Sequence, residues 1–387
     1  MKREKSLKKI CIVIGTRPEA IKMAPVVLAL KEHPHDFEVT VCSTGQHTTM
    51  LRGAMAAFGI RPDVELEVMQ PGQSLAQLTS RLLLALDVHL EATQPDLVLV
   101  HGDTTSAMAG ALAAFYRQID VGHVEAGLRT QNLLSPFPEE YNRRSVAIAT
   151  RHHFAPTQTA RANLEREGVA PEHIIVTGNT VIDALLLTLS TLESRPDEIK
   201  QLRARMAMQL GFDPEAQAFV LITAHRRENF GTGLDNICFS IHELAKTNPD
   251  LYFVYPVHLN PKVKDVVESK LAGVHNIVLI APQDYGDFAW LLRNCLLVLT
   301  DSGGIQEEAP ALGKPVLVMR DTSERPEAIT AGTARLVSTD TQVVIRETQT
   351  LISDTAAYER MARAINPFGD GRAASRIVDH LKRFERA

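Results

Sequence analysis

Leu299-Thr300-Asp301-Ser302-Gly303-Gly304-Ile305-Gln306-Glu307-Glu308 sets an apolar run against two glycines and then a stretch carrying carboxylates. It reads as a strand that turns into a helix. Without a Cβ at Gly303 and Gly304 a diphosphate can approach the backbone closely, and the first free N–H groups of the following helix point at it. A helix N-terminus favours an anion by roughly 0.3–1 kcal/mol when exposed. Glu307 and Glu308, one turn inside, are placed to accept from ribose hydroxyls, as acidic residues do in dinucleotide folds. An ordinary strand-to-helix turn with a serine N-cap has the same pattern, so the choice between the two rests on the rest of the chain.

Working outward, short apolar or β-branched runs alternate with amphipathic stretches from end to end, which predicts parallel sheets covered by helices. Strands are expected at Ile10–Ile14, Val39–Ser43, Leu97–Val100, Val121–Glu125, His153–Ala155 and Ile174–Val176 in the first half. The second half offers Phe219–Thr223, Tyr252–Pro256, Ile277–Ile280, Leu296–Thr300, Pro315–Met319 and Ala334–Val337. Helical spacing of apolar residues marks Ala20–Lys31, Leu75–Ala92 and Thr105–Tyr116. At 387 residues the chain exceeds the size at which one core usually stops growing, so two doubly wound domains are expected. The join is placed near Thr177-Gly178-Asn179-Thr180, and the helical stretch Ala373–Phe384 is expected to return across the first domain. The domains are then residues 1–178 with 370–387, and 179–369.

An apolar fraction of 45% and a charged fraction of 22% are those of a folded globular protein. The formal charge of -5 and the dispersed Lys and Arg residues argue against a nucleic-acid partner. Cys11, Cys42, Cys238 and Cys295 stand far apart, without a CxxC pair, and read as small core residues in a reducing compartment. The apolar stretch Ile10–Ile14 behind the basic opening is too short for a signal sequence. No run approaches the roughly eighteen residues needed to span a bilayer. A cytoplasmic protein without membrane insertion is expected.

In open α/β sheets ligands sit beyond the carboxyl ends of strands. Gly15-Thr16-Arg17-Pro18-Glu19, Gly102-Asp103-Thr104-Thr105, Glu125-Ala126-Gly127-Leu128-Arg129 and His225-Arg226-Arg227-Glu228-Asn229 all fall there. Arg17 offers a guanidinium that engages phosphate oxygens in a fork, and Lys22 lies one turn later. Asp103, Glu125 and Glu139 can divide acid and base roles if their surroundings separate their pKa values. Taken singly, each is better explained as a helix cap or a surface ion pair than as a catalytic group. His225 can transfer protons or, protonated, stabilise a departing phosphate. His101 and His123 each stand two residues before a carboxylate. Neither HExxH nor a Cys-rich segment accompanies them, so core histidines are expected rather than metal ligands. His258 has no distinguishing spacing.

As a collinear set, Gly15–Glu19, Val100–Thr105, His123–Thr130, Pro138-Glu139-Glu140, His225–Phe230 and Thr300–Glu308 resemble the non-hydrolysing UDP-N-acetylglucosamine 2-epimerases over nearly the whole chain. The resemblance implies a GT-B-like fold, two Rossmann-like domains facing a central cleft, with UDP held mainly by the second. It implies interconversion of UDP-GlcNAc and UDP-ManNAc, by loss of the C2 proton and of UDP to 2-acetamidoglucal and then re-addition. No redox cofactor and no metal are implied, and a homodimer is. Asp103, Glu125 and Glu139 match the family's catalytic carboxylates, and His225 its histidine beside the diphosphate. Arg17, Ser302, Gly303 and Gly304 match diphosphate contacts, Glu308 the ribose contact, and Gln283 with Phe288 the surroundings of the uracil. Arg325 and Lys22 match further positions of the cleft.

Some bacterial members are activated by a second UDP-GlcNAc, held partly by a Gln-His motif after the second strand. Gln46-His47 match that motif, followed by Thr48-Thr49 where longer polar or charged side chains are common. Gln131 stands where a glycine is often found. Hydrolysing relatives release free ManNAc, but Ser135-Pro136-Phe137-Pro138-Glu139-Glu140 resembles the non-hydrolysing branch. A GT-B glycosyltransferase would share the UDP pocket and require an acceptor. A silent UDP-sugar sensor would need none of the three carboxylates.

Overall fold

The computed structural model describes residues 7–45 and 48–383. The chain divides into two compact units, the first running to Leu186 and resuming at Phe368, the second Leu187–Pro367. Among the described residues no helix is long and apolar enough to cross a membrane.

The first unit carries β1 (Lys8–Ile14), β2 (Phe37–Ser43), β3 (Val64–Glu65), β4 (Leu97–His101), β5 (Asp120–Val124), β6 (His152–Ala155) and β7 (Ile174–Val176). They form one parallel sheet in the order β3-β2-β1-β4-β5-β6-β7. Side chains alternate between the faces of a strand, and here both faces are covered. Ile10, Ile12 and Ile14 pack with Met23 and Val27 of the helix Arg17–Lys31 and with Ile377 and Leu381 of the helix Ala373–Arg383. Cys11 and Val13 pack the other way, with Leu82 and Leu86 of Leu75–Thr93 and Ala107 and Ala111 of Thr105–Tyr116. The chain end is fastened to this unit by Asp183, whose carboxylate accepts from the N–H groups of Ala373 at 3.1 Å and Ala374 at 2.8 Å. Lys8 Nζ adds a bond to the Leu381 carbonyl at 2.7 Å.

The second unit repeats the plan with β8 (Phe219–Thr223), β9 (Tyr252–Pro256), β10 (Ile277–Ile280), β11 (Leu297–Thr300), β12 (Val316–Val318) and β13 (Ala334–Leu336). Their order is β10-β9-β8-β11-β12-β13, again parallel. Val220, Ile222, Phe253, Leu297 and Leu299 anchor its core against Ile237, Ile241 and Leu244 of the helix Thr232–Thr247. The expected doubly wound α/β architecture is thus present twice. In each sheet the chain first builds to one side of the opening strand and then crosses to the other, so a switch point lies between β1 and β4 and another between β8 and β11.

Two local features depart from the sequence reading. Glu125, expected inside a strand, lies just past β5 with φ +65, a left-handed conformation that turns its side chain off the sheet's alternation. The edge strand Val64–Glu65 is two residues long and leaves no periodic trace.

Gly15 ends β1 under Ser106. A Cβ there would stand 2.1 Å from Ser106 Oγ and 2.9 Å from Thr44 Oγ1, which themselves lie 2.9 Å apart. Gly15→Ala is expected to destabilise the protein by about 1–3 kcal/mol through overpacking, read as a lower thermal midpoint. An unchanged midpoint would mean that the Ser106 helix shifts freely.

Candidate functional site

In the first unit the switch point is built from the ends of β1, β4 and β5. The loop after β1 leads into the helix Arg17–Lys31, which Pro18 starts, and Arg17 is exposed at its first position. Glu19 folds back beneath this loop. Its Oε2 accepts from the N–H groups of Gly15 at 3.0 Å and Thr16 at 2.6 Å, and its Oε1 from Thr104 Oγ1 at 2.7 Å. One carboxylate therefore ties the Arg17 loop to the Asp103 loop. Burial pushes it up to about 7, against the donors of Thr104, Thr16 and Gly15 that pull it down.

The three carboxylates named by the sequence have distinct surroundings. Glu125 Oε2 is paired with Lys22 Nζ, accepts from Asn179 Nδ2 at 2.8 Å, and lies 3.8 Å from His101 Nε2. Asp103 Oδ2 is paired with Arg143, while its carbonyl accepts from Asn142 Nδ2 at 2.9 Å. Arg143 and Asn142 come from the helix Glu139–Ala149 and so fix the position of that helix relative to the end of β4. Glu139 opens the helix, and its Oε2 is buried with no hydrogen-bond partner among the described residues. Its neighbour Glu140 is fully buried, accepting from the Thr130 N–H at 3.0 Å, Arg143 at 3.2 Å and Arg144 at 3.1 Å. The adjacent glutamates therefore differ: Glu140 is a brace, and Glu139 keeps one buried oxygen without a donor among the described residues.

In the second unit the apolar end of β8 delivers His225 and that of β11 delivers Asp301. Asp301 is fully buried, and its Oδ2 accepts from the N–H groups of His225 at 2.8 Å and Arg226 at 2.7 Å and from Asn229 Nδ2 at 3.1 Å. Its other oxygen lies 3.7 Å from His225 Nδ1. The imidazole stacks on His258, ring centroids 5.2 Å apart at 11°. Burial holds His225 below the usual imidazole value, with Asp301 pulling it up and His258 and Arg226 pushing it down.

The turn Ser302-Gly303-Gly304 leads into the helix Ile305–Ala311. A Cβ on Gly303 would meet Glu324 Oε2 at 3.2 Å and Arg226 Nη2 at 3.6 Å, so the bare Cα faces a charged pair. Ser302 is turned by its N–H, which donates to Thr300 Oγ1 at 2.9 Å. Glu307 is buried and paired with Arg325, whereas Glu308 Oε1 accepts from Tyr285 OH at 2.8 Å. Gln283 and Phe288 flank Tyr285, in the turn after β10 and on the helix Tyr285–Asn294, and Gln283 Nε2 donates to the Ala281 carbonyl at 2.6 Å. Gln46 and His47 lie outside the described residues.

The structure thus joins Lys22 to Glu125 and sets His225 over the strand end that leads to Ser302–Gly304. Sequence reasoning missed Glu19, Asn179, Arg143, Tyr285 and His258, and assigned Asp301 to the phosphate turn rather than to the loop carrying His225. The signals for Glu19 and Asp301 were present, since both are carboxylates at strand-to-helix turns where backbone N–H groups go unpaired. Nothing local marks Asn179 or His258, which reach their partners only through the tertiary fold.

The core histidines of the first unit carry a pH dependence. Burial pushes His101 and His153 down to about 4 and His123 and His152 to about 3, from 6.5. Each binds fewer protons folded than unfolded, so its contribution is complete above pH 6.5 and is lost as pH falls toward the folded value. The slope is about 1.4 kcal/mol per pH unit for each group. Glu19, raised to about 7, has the opposite sign in the same window, one group against four. The thermal midpoint is expected to fall steadily from pH 6.5 to pH 5; a flat profile would mean that these rings protonate in place.

The family model for UDP-N-acetylglucosamine 2-epimerase matches residues 28–382. The chain is 53% identical over 374 residues to the UDP-N-acetylglucosamine 2-epimerase of Escherichia coli K12, covering 97% of this chain and 98% of that protein. The crystal structure of UDP-GlcNAc 2-epimerase from Neisseria meningitidis bound to UDP-GlcNAc matches with a TM-score of 0.88 and 50% identity, over 96% of this chain and 99% of that one. That of the Methanocaldococcus jannaschii UDP-GlcNAc 2-epimerase in complex with UDP-GlcNAc and UDP matches with a TM-score of 0.79 and 32% identity, over 96% and 99%. With both sheets, their switch points and nearly the whole length accounted for, the chain belongs to the UDP-N-acetylglucosamine 2-epimerase family.

Proposed function

We propose that the protein reversibly interconverts UDP-N-acetylglucosamine and UDP-N-acetylmannosamine without releasing the sugar, supplying N-acetylmannosamine units for surface polysaccharide. The observation that carries this reading is the division of labour between the units. The first carries Glu125 paired with Lys22 and Asp103 paired with Arg143 of the helix that Glu139 opens, whereas the second sets Arg226 and Glu308 at a glycine turn and holds His225 on the neighbouring Asp301. Inverting C2 requires a proton to leave one face and another to arrive on the opposite face. The electron pair of the C2–H bond forms the C1–C2 double bond as the C1–O bond to UDP breaks. The products are 2-acetamidoglucal and UDP; a proton then adds to C2 from the opposite face as the C1–O bond to UDP re-forms on its original face, which inverts C2 alone. No net oxidation occurs.

The carboxylates serve the proton transfers, and one well-placed acid or base contributes about 10²–10⁴-fold in rate. His225, with Arg17, Ser302, Gly303 and Gly304, meets the charge that develops on the leaving diphosphate. Glu308 takes the ribose, Gln283 and Phe288 the uracil, and Arg325 and Lys22 support the two half-sites. The four buried, free cysteines suit a cytoplasmic setting. The test is incubation with UDP-GlcNAc alone and separation of the products. UDP-ManNAc with total UDP-sugar conserved is expected. Free ManNAc with equimolar UDP would place the chain in the hydrolysing branch, and no conversion without an acceptor would favour a glycosyltransferase.

The same reading includes a homodimer. The helices Leu75–Thr93, Thr105–Tyr116 and Glu139–Ala149 pack side by side and expose Leu84, Val88, Tyr116, Tyr141 and Ile148, the last 87% exposed. Sedimentation at micromolar concentration is expected to give a dimer that Ile148→Lys weakens; a monomeric unaltered protein would contradict it.

A further inference from the structure

We propose that Tyr285 is a positioning residue that fixes Glu308 for the ribose and thereby sets the preference for a nucleotide with ribose hydroxyls over one without them. This inference rests on the reading of Glu308 as the ribose acceptor. The geometry is specific. Tyr285 opens the helix Tyr285–Asn294 and its OH donates to Glu308 Oε1 at 2.8 Å. Glu308 Oε2 lies 3.8 Å from where a Cβ on Gly304 would stand, so the second oxygen faces the glycine turn. A glutamate side chain has three rotatable bonds, and one carboxylate offers about four acceptor sites. Binding one oxygen to the phenol of the half-buried Tyr285 restricts that freedom, with the other oxygen facing the turn.

The phenol remains a donor throughout the working pH range, because burial and the Glu308 charge raise it well above its ordinary value. Phe288 stands three residues further along the same helix and so shares its face with Tyr285. The helix that carries the proposed uracil contact therefore also orients the proposed ribose contact, and a shift in one is felt by the other.

The experiment measures affinity for UDP and for 2′,3′-dideoxy-UDP by calorimetry in the unaltered protein, Tyr285→Phe, Glu308→Ala and the double variant, with thermal midpoints alongside. The unaltered protein is expected to prefer UDP, Glu308→Ala to lose that preference, and Tyr285→Phe to reduce it about tenfold, the scale of one hydrogen bond to a charged group. The double variant is expected to be no worse than Glu308→Ala alone, because the tyrosine acts through the glutamate. If Tyr285→Phe weakens both nucleotides equally and leaves their ratio intact, its role is packing and the inference is overturned. A Glu308→Ala protein that keeps the preference, or an unaltered protein without one, removes the ribose reading itself. Should Glu308→Ala not fold, Glu308→Met, of similar length and without an oxygen acceptor, replaces it with the same expectation.

Discussion

Glu139→Gln is expected to lower turnover by about 10²–10⁴-fold, the contribution of one acid or base, while UDP affinity and the thermal midpoint stay close to those of the unaltered protein. The reason lies in what the side chain does not do. Asp103 is engaged by Arg143, and Glu125 by Lys22 and Asn179, so removing either charge also breaks a network. Glu139 Oε2 is buried and accepts no hydrogen bond from any of the described residues. An unsatisfied buried acceptor costs roughly 1–3 kcal/mol, and an amide of the same shape breaks no hydrogen bond at that oxygen. Asp103→Asn is expected to lower turnover comparably with UDP binding little changed. It also lowers the thermal midpoint, because Arg143 is left with Glu140 alone among its paired carboxylates. If Glu139→Gln turned over within twofold of the unaltered enzyme, Glu139 would leave the reaction, whatever its place at the head of the helix.

Asp301→Ala is expected to be the most damaging change in the second unit, costing roughly 3 kcal/mol or more by stranding buried donors and abolishing measurable UDP binding. Three donors converge on one oxygen: the N–H groups of His225 and Arg226 and the Asn229 amide. Asn229 is also bonded to the Met319 carbonyl at 3.1 Å, so the loop is fixed between β11 and β12. Without the carboxylate, the His225 ring loses the nearby charge that supports its protonated form. Thermal denaturation and UDP titration read the two consequences separately. An Asp301→Ala protein of unchanged midpoint and affinity would show that the loop holds itself and that the carboxylate is incidental.

The architecture is legible in the sequence because parallel strands buried on both faces leave unbroken apolar runs, as at Leu97–Val100 and Phe219–Thr223. Val64–Glu65 is not legible, since two residues carry no period. Glu125 reads as strand by its place after Val121–Val124, but its left-handed backbone is set by the turn through Ala126 and Gly127 rather than by its own β propensity. The candidate site is legible as strand ends plus glycines, and the family resemblance sharpens it. The supporting contacts stay hidden. Glu19 and Asp301 brace loops through backbone N–H groups, and Asn179 reaches Glu125 from the end of another strand, none of which has a sequence spacing. Tyr285 reads as one more aromatic in an amphipathic helix, and only the fold puts its hydroxyl on Glu308.

Inversion of C2 by elimination and re-addition, with UDP returned to the sugar, is best examined by proton NMR of the protein with UDP-GlcNAc in D2O, following the C2 and anomeric signals together. UDP-ManNAc carrying deuterium at C2 and still attached to UDP is expected, with solvent deuterium also entering the UDP-GlcNAc pool. UDP-ManNAc that retains its C2 proton would contradict the mechanism, because inversion would then proceed without the exchangeable proton that the carboxylates are there to move.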